Sequence, residues 1–425
     1  MSTRAPQTEA PKASRKPRSL WCNRDYLLLW GGQTISDIGG GVSQFAFPLL
    51  VLYITNSPLA AATAGTIRVL PNMLFFLLAG AWVDRYNRKH VMILCDLGRA
   101  CSLASIPIAL AFHSLTIWQL YITAFIEGTL LVFFGVAQAS GLSQVVPPEQ
   151  ISSAMAQQEV VEGTTILLGP AIAGPLFALG PLFPFLADAI SYLISIVTLG
   201  AIRTPFQTPR NKPRRHLLHE IKEGIIWAWR QPVIRIVNSL NTLAALVNPS
   251  SALIVIVLAR QQHASSTTIS TIFVIGGLGA ITGSLLAPLA RRFLTVGQAI
   301  IVVRWLFVLL WPCYLLAGNP FILGVIEAGF NFVDPFEDVA YFSYRLTVIP
   351  DDLRGRVISA CRMFTAISNP LGQFFMGWLL DKYGPRPTII FGWLVLMLVA
   401  TLFTLSPHIR TARHPETLST DQSST

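Results

Sequence analysis

The chain has 425 residues, of which 52% are hydrophobic and only 12% charged, with a mean hydropathy of +0.56. A surface that apolar does not stay in water, which excludes an array of soluble domains and leaves a membrane chain. The net charge of +10 would suit nucleic acid only if the basic residues clustered on a soluble face, and their positions, taken up below, exclude such a partner.

A bilayer-spanning helix needs about 20 mostly apolar residues. Twelve such stretches run roughly over 26–53, 62–83, 90–112, 116–142, 152–179, 182–202, 233–259, 266–290, 297–317, 320–344, 357–380 and 388–406. They are too long for barrel strands, which alternate over about ten residues. The expected fold is an all-α polytopic membrane protein with twelve transmembrane helices in two six-helix bundles, embedded in the lipid bilayer.

In chain order, residues 1–23 form a polar, basic tail without the charged, apolar, small-residue order of a cleaved signal, so the first span is expected to stay attached. Placing this tail in the cytoplasm puts only three of the 31 Lys and Arg residues outside, Arg260, Lys382 and Arg386, and three within spans, Arg68, Arg99 and Arg304. The other 25 fall on cytoplasmic segments, so both termini are expected inside a bacterial plasma membrane. Between spans two and three, GAWVDRYNRKH gathers five ionisable side chains in eleven residues. Asp84 there is not explained by topology, whereas Arg85 and Lys89 are also what a positive-inside anchor would carry. Span five contains Gly169-Pro170 and Gly174-Pro175, where Pro removes a helix hydrogen bond and Gly lets backbones approach. Either a generic kink or a functional seal fits. The linker 204–230 opens with Pro and basic residues, then places Ile221, Ile225 and Trp229 four apart. That spacing fits an amphipathic helix on the inner leaflet, or a solvated basic loop. GGLGAITG in span eight lacks a preceding strand and reads as small-residue packing, not a phosphate loop. The five cysteines are scattered, with no metal or disulfide spacing. Residues 407–425 form a polar cytoplasmic tail.

The chain also repeats itself. QVVPPEQISSA after span four matches TVIPDDLRGRV after span ten at an offset of 203, which takes Val146 to Ile349, Pro147 to Pro350, Gly169 to Gly372, Gly174 to Gly377 and Arg88-Lys89 to Arg291-Arg292. One offset serving several landmarks implies two parallel bundles, 24–203 and 231–406, with substrate between them.

These motifs resemble the major facilitator superfamily, and more closely its drug:proton antiporter branch, which includes macrolide exporters and the enterobactin exporter. GAWVDRYNRKH resembles the family's loop signature. NRDYLLLWGGQTIS, ILLGPAIAGPL, LADAISYLISIVTL, HEIKEGIIWAWRQPVIR and VIPDDLRGRVISA carry the closer match. The resemblance implies that Gly80, Asp84, Arg85, Arg88 and Lys89 form a conformational switch, with Asp84 and Arg88 linking helix ends of the two halves. It also implies that Gly169, Pro170, Gly174 and Pro175 help seal the cavity. Asn87 stands where the family usually has Gly, and is expected to preserve the turn by adopting a left-handed conformation.

Ionisable residues in spans are costly, about 2.5 to 3.5 kcal/mol at the bilayer centre on insertion scales, so each should face the bundle interior or water. Asp96 and Arg99 are spaced for a local ion pair, and Asp188 reads as structural. Glu127 in FIEG and Glu327 in VIEA offer one carboxylate per half at comparable depth. Both are candidates for proton coupling, with Asp37 and Asp334 in reserve, because removal from water favours the neutral form of a carboxylate. A permanently protonated, hydrogen-bonding Glu fits equally. Eight phenylalanines, Phe45, Phe47, Phe125, Phe133, Phe134, Phe330, Phe332 and Phe336, are available to line a large apolar cavity.

The expected function is secondary export of hydrophobic or amphipathic small molecules, drug- or macrolide-like, by proton antiport through alternating access, in a monomer that needs no cofactor. One proton moving down ~100 mV carries about 2.3 kcal/mol, enough to drive this without ATP. The alternatives are an exporter or flippase of one siderophore or lysolipid, or a non-transporting sensor or enzyme. An enzyme is disfavoured because His113, His263 and His408 are isolated, and a sensor because neither tail is long enough for a signalling domain.

Overall fold

The computed structural model describes residues 20–83, 85–206, 217–290, 293–350 and 353–412. Six long helices come first: α1 (Arg24–Thr55), α2 (Pro58–Val83), α3 (Arg88–Ala111), α4 (Ile117–Val145), α5 (Ile151–Leu179) and α6 (Phe183–Ala201). The linker supplies α7 (Leu217–Arg230). Then come α8 (Pro232–Ala244), α9 (Ser251–Gln261), α10 (Ser266–Ala290), α11 (Val296–Leu310), α12 (Pro320–Val348), α13 (Arg354–Tyr383), α14 (Pro385–Leu405) and the short α15 (Pro407–Arg410). Among the described residues ten segments are long and apolar enough to cross a membrane, counting α8 with α9 as one and α11 with its continuation to Leu316 as another. The remaining two long helices, α12 and α13, span 29 and 30 residues but carry charge along their length. Together they make up the twelve expected segments.

Local chemistry sets the ends. Asn23 caps α1 by accepting from the backbone N–H groups of Asp25 and Tyr26, and α1 stops at Asn56 in the left-handed conformation (φ 51°). Val146 ends α4 and Ile349 ends α12 in the same extended conformation, each ahead of its loop proline, as the internal repeat requires.

Three expectations need correction. Span seven is not one helix: it breaks at a 3-10 turn, Asn248–Ser250, where Pro249 removes a backbone donor. Span nine ends as α-helix at Leu310 and tightens into a 3-10 helix over Trp311–Leu316, which contains Pro312. Asn87 is not left-handed. It is the extended N-cap of α3 (φ −65°, ψ 115°), accepting from Lys89 N–H, so an Asn at this position serves as a cap. The linker helix packs on α13 through Gly224 and Ala228, which are buried: an added Cβ on Gly224 would lie 2.5 Å from the Arg356 carbonyl oxygen, while Trp229 of the expected apolar stripe stays 52% exposed. The side chain of Ile221 lies outside the described residues.

Let the face where α1 begins and α14 ends be the terminal face, and the other the distal face. The hydrophobic core is shared between the two sets of helices on one side and divided on the other. One cluster joins α1, α2, α3 and α6 to α9, α10, α12, α13 and α14, through residues such as Leu50, Ala62, Ile254, Ile269 and Met376. Nearer the terminal face the first set has its own cluster around Tyr26, Met92, Phe134 and Phe206, and the second set another around Val237, Ile300, Phe403 and Ile409.

The repeated glycines show why the joined side lies at the distal face. An added Cβ on Gly169 would meet the backbone of Gly41 at 2.9 Å, and one on Gly372 the Cα of Leu246 at 2.4 Å, so each packs within its own set. Five residues on, a Cβ on Gly174 would meet Ser270 Oγ at 2.0 Å and the Ser266 carbonyl oxygen at 2.8 Å, and one on Gly377 the Cβ of Ala62 at 2.0 Å. These two pack across, α5 on α10 and α13 on α2, at the distal ends. Ser57 Oγ and the Leu59 N–H donate to Asp381 at 2.6 and 3.2 Å, and Thr66 Oγ1 donates to the Pro370 carbonyl at 3.2 Å, closing the same face. The two sets are therefore closed against each other at the distal face, while their cores are separate nearer the terminal face.

Candidate functional site

A cavity of about 550 Å³ lies between the two sets of helices. α1 contributes Gln44, Phe45 and Phe47, α2 contributes Ala64 and Arg68, α5 contributes Thr165 and Pro170, α10 contributes Phe273 and Gly277, α12 contributes Glu327 and Asn331, and α13 contributes Gln373. A neighbouring cavity of about 530 Å³ extends along α1, α2 and α4 past Asn72, Val132 and Ser140. Of the eight phenylalanines offered by the sequence, only Phe45 and Phe47 line the central cavity. Phe330 instead stacks on Tyr314 at 5.6 Å, and Phe134 lies 5.6 Å from the Arg99 guanidinium carbon.

Glu327 sits in this wall, 6% exposed. Tyr314 donates its hydroxyl to Oε1 at 2.6 Å, and the Asn331 amide donates to the Glu327 carbonyl oxygen at 2.8 Å and to Oε2 at 3.4 Å. Among the described residues no Lys, Arg or His makes an ion pair with it. A carboxyl group held by neutral donors at the edge of a cavity can exist in either protonation state without breaking an ion pair. Sequence reasoning had no means of finding Tyr314: it lies thirteen residues upstream, on the 3-10 continuation of α11.

Glu127 is placed differently. It is 3% exposed, with Arg99 Nε 3.7 Å from Oε2 and the Tyr192 hydroxyl donating to Oε2 at 3.4 Å. Arg99 also lies 3.5 Å from Asp96 and donates to the Tyr192 hydroxyl. Asp96 accepts from Ser195 at 2.6 Å, and Ser195 from Gln33 at 3.0 Å. Asp188 accepts from Ser43 and from Ser191. The expected Asp96–Arg99 pair is thus one edge of a buried network spanning α1, α3, α4 and α6. Glu127 stands ten residues from the start of α4 and Glu327 seven from that of α12, about one helix turn apart in depth. The structure gives them unlike surroundings and does not bring them together.

The ion-pair counterpart of Glu127 in the second set is Glu337. Arg304 of α11 donates to Glu337 Oε1 at 2.6 Å and to Asn241 at 2.8 Å, as Arg99 of α3 holds Glu127 of α4. Asp334 and Asp338 are exposed on another face of α12. With Glu327 and Asn331 they recur at intervals of four, three and four, which places all four on one helix face. This row runs about 16 Å from the cavity towards the terminal face. Asp37 accepts from Gln158 of α5 at 3.2 Å, beside a third cavity, of about 470 Å³, lined by Gln33, Gln158, Glu159 and Glu162.

In the charged loop, Asp84 lies outside the described residues. Lys89 Nζ donates to the carbonyls of Gly200 and Ile202 at 3.0 and 2.7 Å, and Arg88 Nη1 donates to the Phe206 carbonyl at 3.5 Å. These bonds tie the start of α3 to the end of α6, where a helix C-terminus attracts cations. Arg85 is exposed, and an added Cβ on Gly80 would meet nothing within 4 Å.

The family model of the Major Facilitator Superfamily matches residues 29–373. The multidrug efflux pump Tap of Mycolicibacterium fortuitum is 25% identical over 408 residues, covering 90% of this chain and 96% of that protein. Macrolide efflux protein A of Streptococcus pyogenes is 22% identical over 393 residues, covering 91% and 96%. Among solved structures, a bacterial homologue of the human lysosomal transporter Spinster, inward-facing and unoccupied, superposes with a TM-score of 0.69 at 13% identity, covering 92% of this chain and 98% of that one. With helices, cavity and family match in agreement, the chain belongs to the major facilitator superfamily.

Proposed function

We propose that the protein exports apolar or amphipathic small molecules from the cytoplasm in exchange for protons, by alternating access of the cavity between residues 24–203 and 231–406. The observation that carries the proton part is Glu327: buried, bound only by neutral donors, bordering the cavity, and first in the row that continues through Asn331, Asp334 and Asp338 towards the terminal face. The names of the efflux relatives support a drug-like substrate. With the termini cytoplasmic, the distally sealed form is the inward-open state, in which substrate enters from the cytoplasm. Glu127, held by Arg99, stabilises the first bundle and couples secondarily, and Asp37 and Asp334 relay protons at the two sides. The Gly80–Lys89 loop acts as the latch of the opposite, outward-open state.

The test is transport in liposomes. Glu327→Gln removes the charge change while nearly preserving shape, so pH-driven uphill export should drop below about a tenth of wild type while downhill counterflow persists. A variant that still pumps uphill at the wild-type rate makes Glu327 structural. The orientation has its own check in cells. A cysteine at Ser265, in the loop between α9 and α10, should react with an impermeant thiol reagent and one at Gln207 should not, and the reverse pattern inverts the topology.

A further inference from the structure

Building on the proposed export function, we infer that Arg68 is a specificity residue that grips an anionic group on the substrate, so that the preferred cargo is an amphipathic molecule bearing one acidic group on an apolar body. Arg68 stands near the middle of α2 and lines both the central cavity and the neighbouring one along α4. An intramembrane cation is normally matched by a carboxylate. The other two within the apolar spans are: Arg99 by Asp96 and Glu127, and Arg304 by Glu337. The Arg68 side chain takes part in none of the hydrogen bonds or ion pairs between described residues. Glu127 is near enough to feel its charge but makes its contact with Arg99.

The surroundings have the two chemistries such a cargo needs. Gln44 borders both cavities with Arg68, and Asn72, one helix turn further along α2, borders the second. A guanidinium flanked by two amides offers several donors to a carboxylate or sulfonate. Val69, Leu131 and Val132 complete the wall with apolar surface.

Two probes differing by a single sulfonate separate this from a structural role. Binding of 1-anilinonaphthalene-8-sulfonate and of uncharged N-phenyl-1-naphthylamine is measured on the purified full chain in lipid nanodiscs, with empty nanodiscs subtracted. The wild type should hold the sulfonate more tightly than the neutral probe. Arg68→Gln should weaken the sulfonate by about ten- to a hundredfold, the range for a lost charge-assisted hydrogen bond, and leave the neutral probe unchanged. Arg68→Lys should recover most of the loss. Equal weakening of both probes, or an unchanged ratio in Arg68→Gln, overturns the inference while leaving the exporter reading in place. Failure of the wild type to hold even the neutral probe would instead count against the apolar cavity on which both readings rest.

Discussion

Gly174→Val and Gly377→Val should each abolish transport by driving the protein out of its distally sealed conformation. At Gly174 the first added carbon would already lie 2.8 Å from the Ser266 carbonyl oxygen, and at Gly377 2.0 Å from the Cβ of Ala62. The Ser270 hydroxyl, also near Gly174, can rotate away, but a backbone carbonyl and a Cβ cannot. Overpacking of this kind costs about 1 to 3 kcal/mol, enough to shift a conformational equilibrium by about ten- to a hundredfold. The shift has a separate readout. Thr66, which donates to the Pro370 carbonyl in the sealed form, should as Thr66→Cys become reactive to an impermeant reagent from the distal side in either valine background. Gly169→Val, packed against Gly41 of its own set, should instead lower the folded yield without opening that face. Normal transport and an unreactive Thr66→Cys in the Gly174→Val background would show that the distal seal does not depend on this contact.

Removing Arg304 should produce the largest loss of stability. Arg304→Met strands the Glu337 carboxylate, which is buried and bonded at 2.6 Å to that guanidinium, and leaves Asn241 without its donor. Breaking one side of a buried pair costs about 3 to 5 kcal/mol, whereas replacing both partners with groups of similar size is close to neutral. The thermal midpoint in detergent should fall sharply for Arg304→Met and return most of the way in Arg304→Met/Glu337→Gln. If single and double variants melt together, the pair contributes no coupling and α11 is held to α12 by its apolar contacts alone. The same comparison on Arg99 and Glu127 should show weaker coupling, because their charged atoms stand 3.7 Å apart and Asp96 shares the guanidinium.

Much of this architecture was written in the chain. Ten of the twelve long segments follow from apolar run length alone, because a spanning helix must satisfy its backbone polar groups internally, while α12 and α13 carry too many polar and charged residues to be found that way. The offset of 203 followed from matched prolines and glycines, and the structure gives those glycines matched duties: Gly169 and Gly372 within a set, Gly174 and Gly377 across the two. Asp96 and Arg99 were readable as a pair because three residues on a helix is a contact distance.

Only the tertiary structure separated residues the sequence treated alike. Glu127 and Glu327 occupy similar settings, FIEG and VIEA, yet one faces an arginine brought in on α3 and the other a tyrosine on a 3-10 turn. Aromatic content predicted a lined cavity without saying which rings reach it. The amphipathic spacing of the linker marked Ile221, Ile225 and Trp229 but was silent on the seam with α13, Gly224 and Ala228, where small residues let α7 lie close against the α13 backbone. Arg68 was one of three intramembrane arginines with no mark to distinguish it. Length, periodicity and repeat offset are properties of the chain and its nearest neighbours, so the sequence determines them unaided. Which carboxylate meets a cation, and which cation is left facing a cavity, depends on helices distant in sequence being packed side by side.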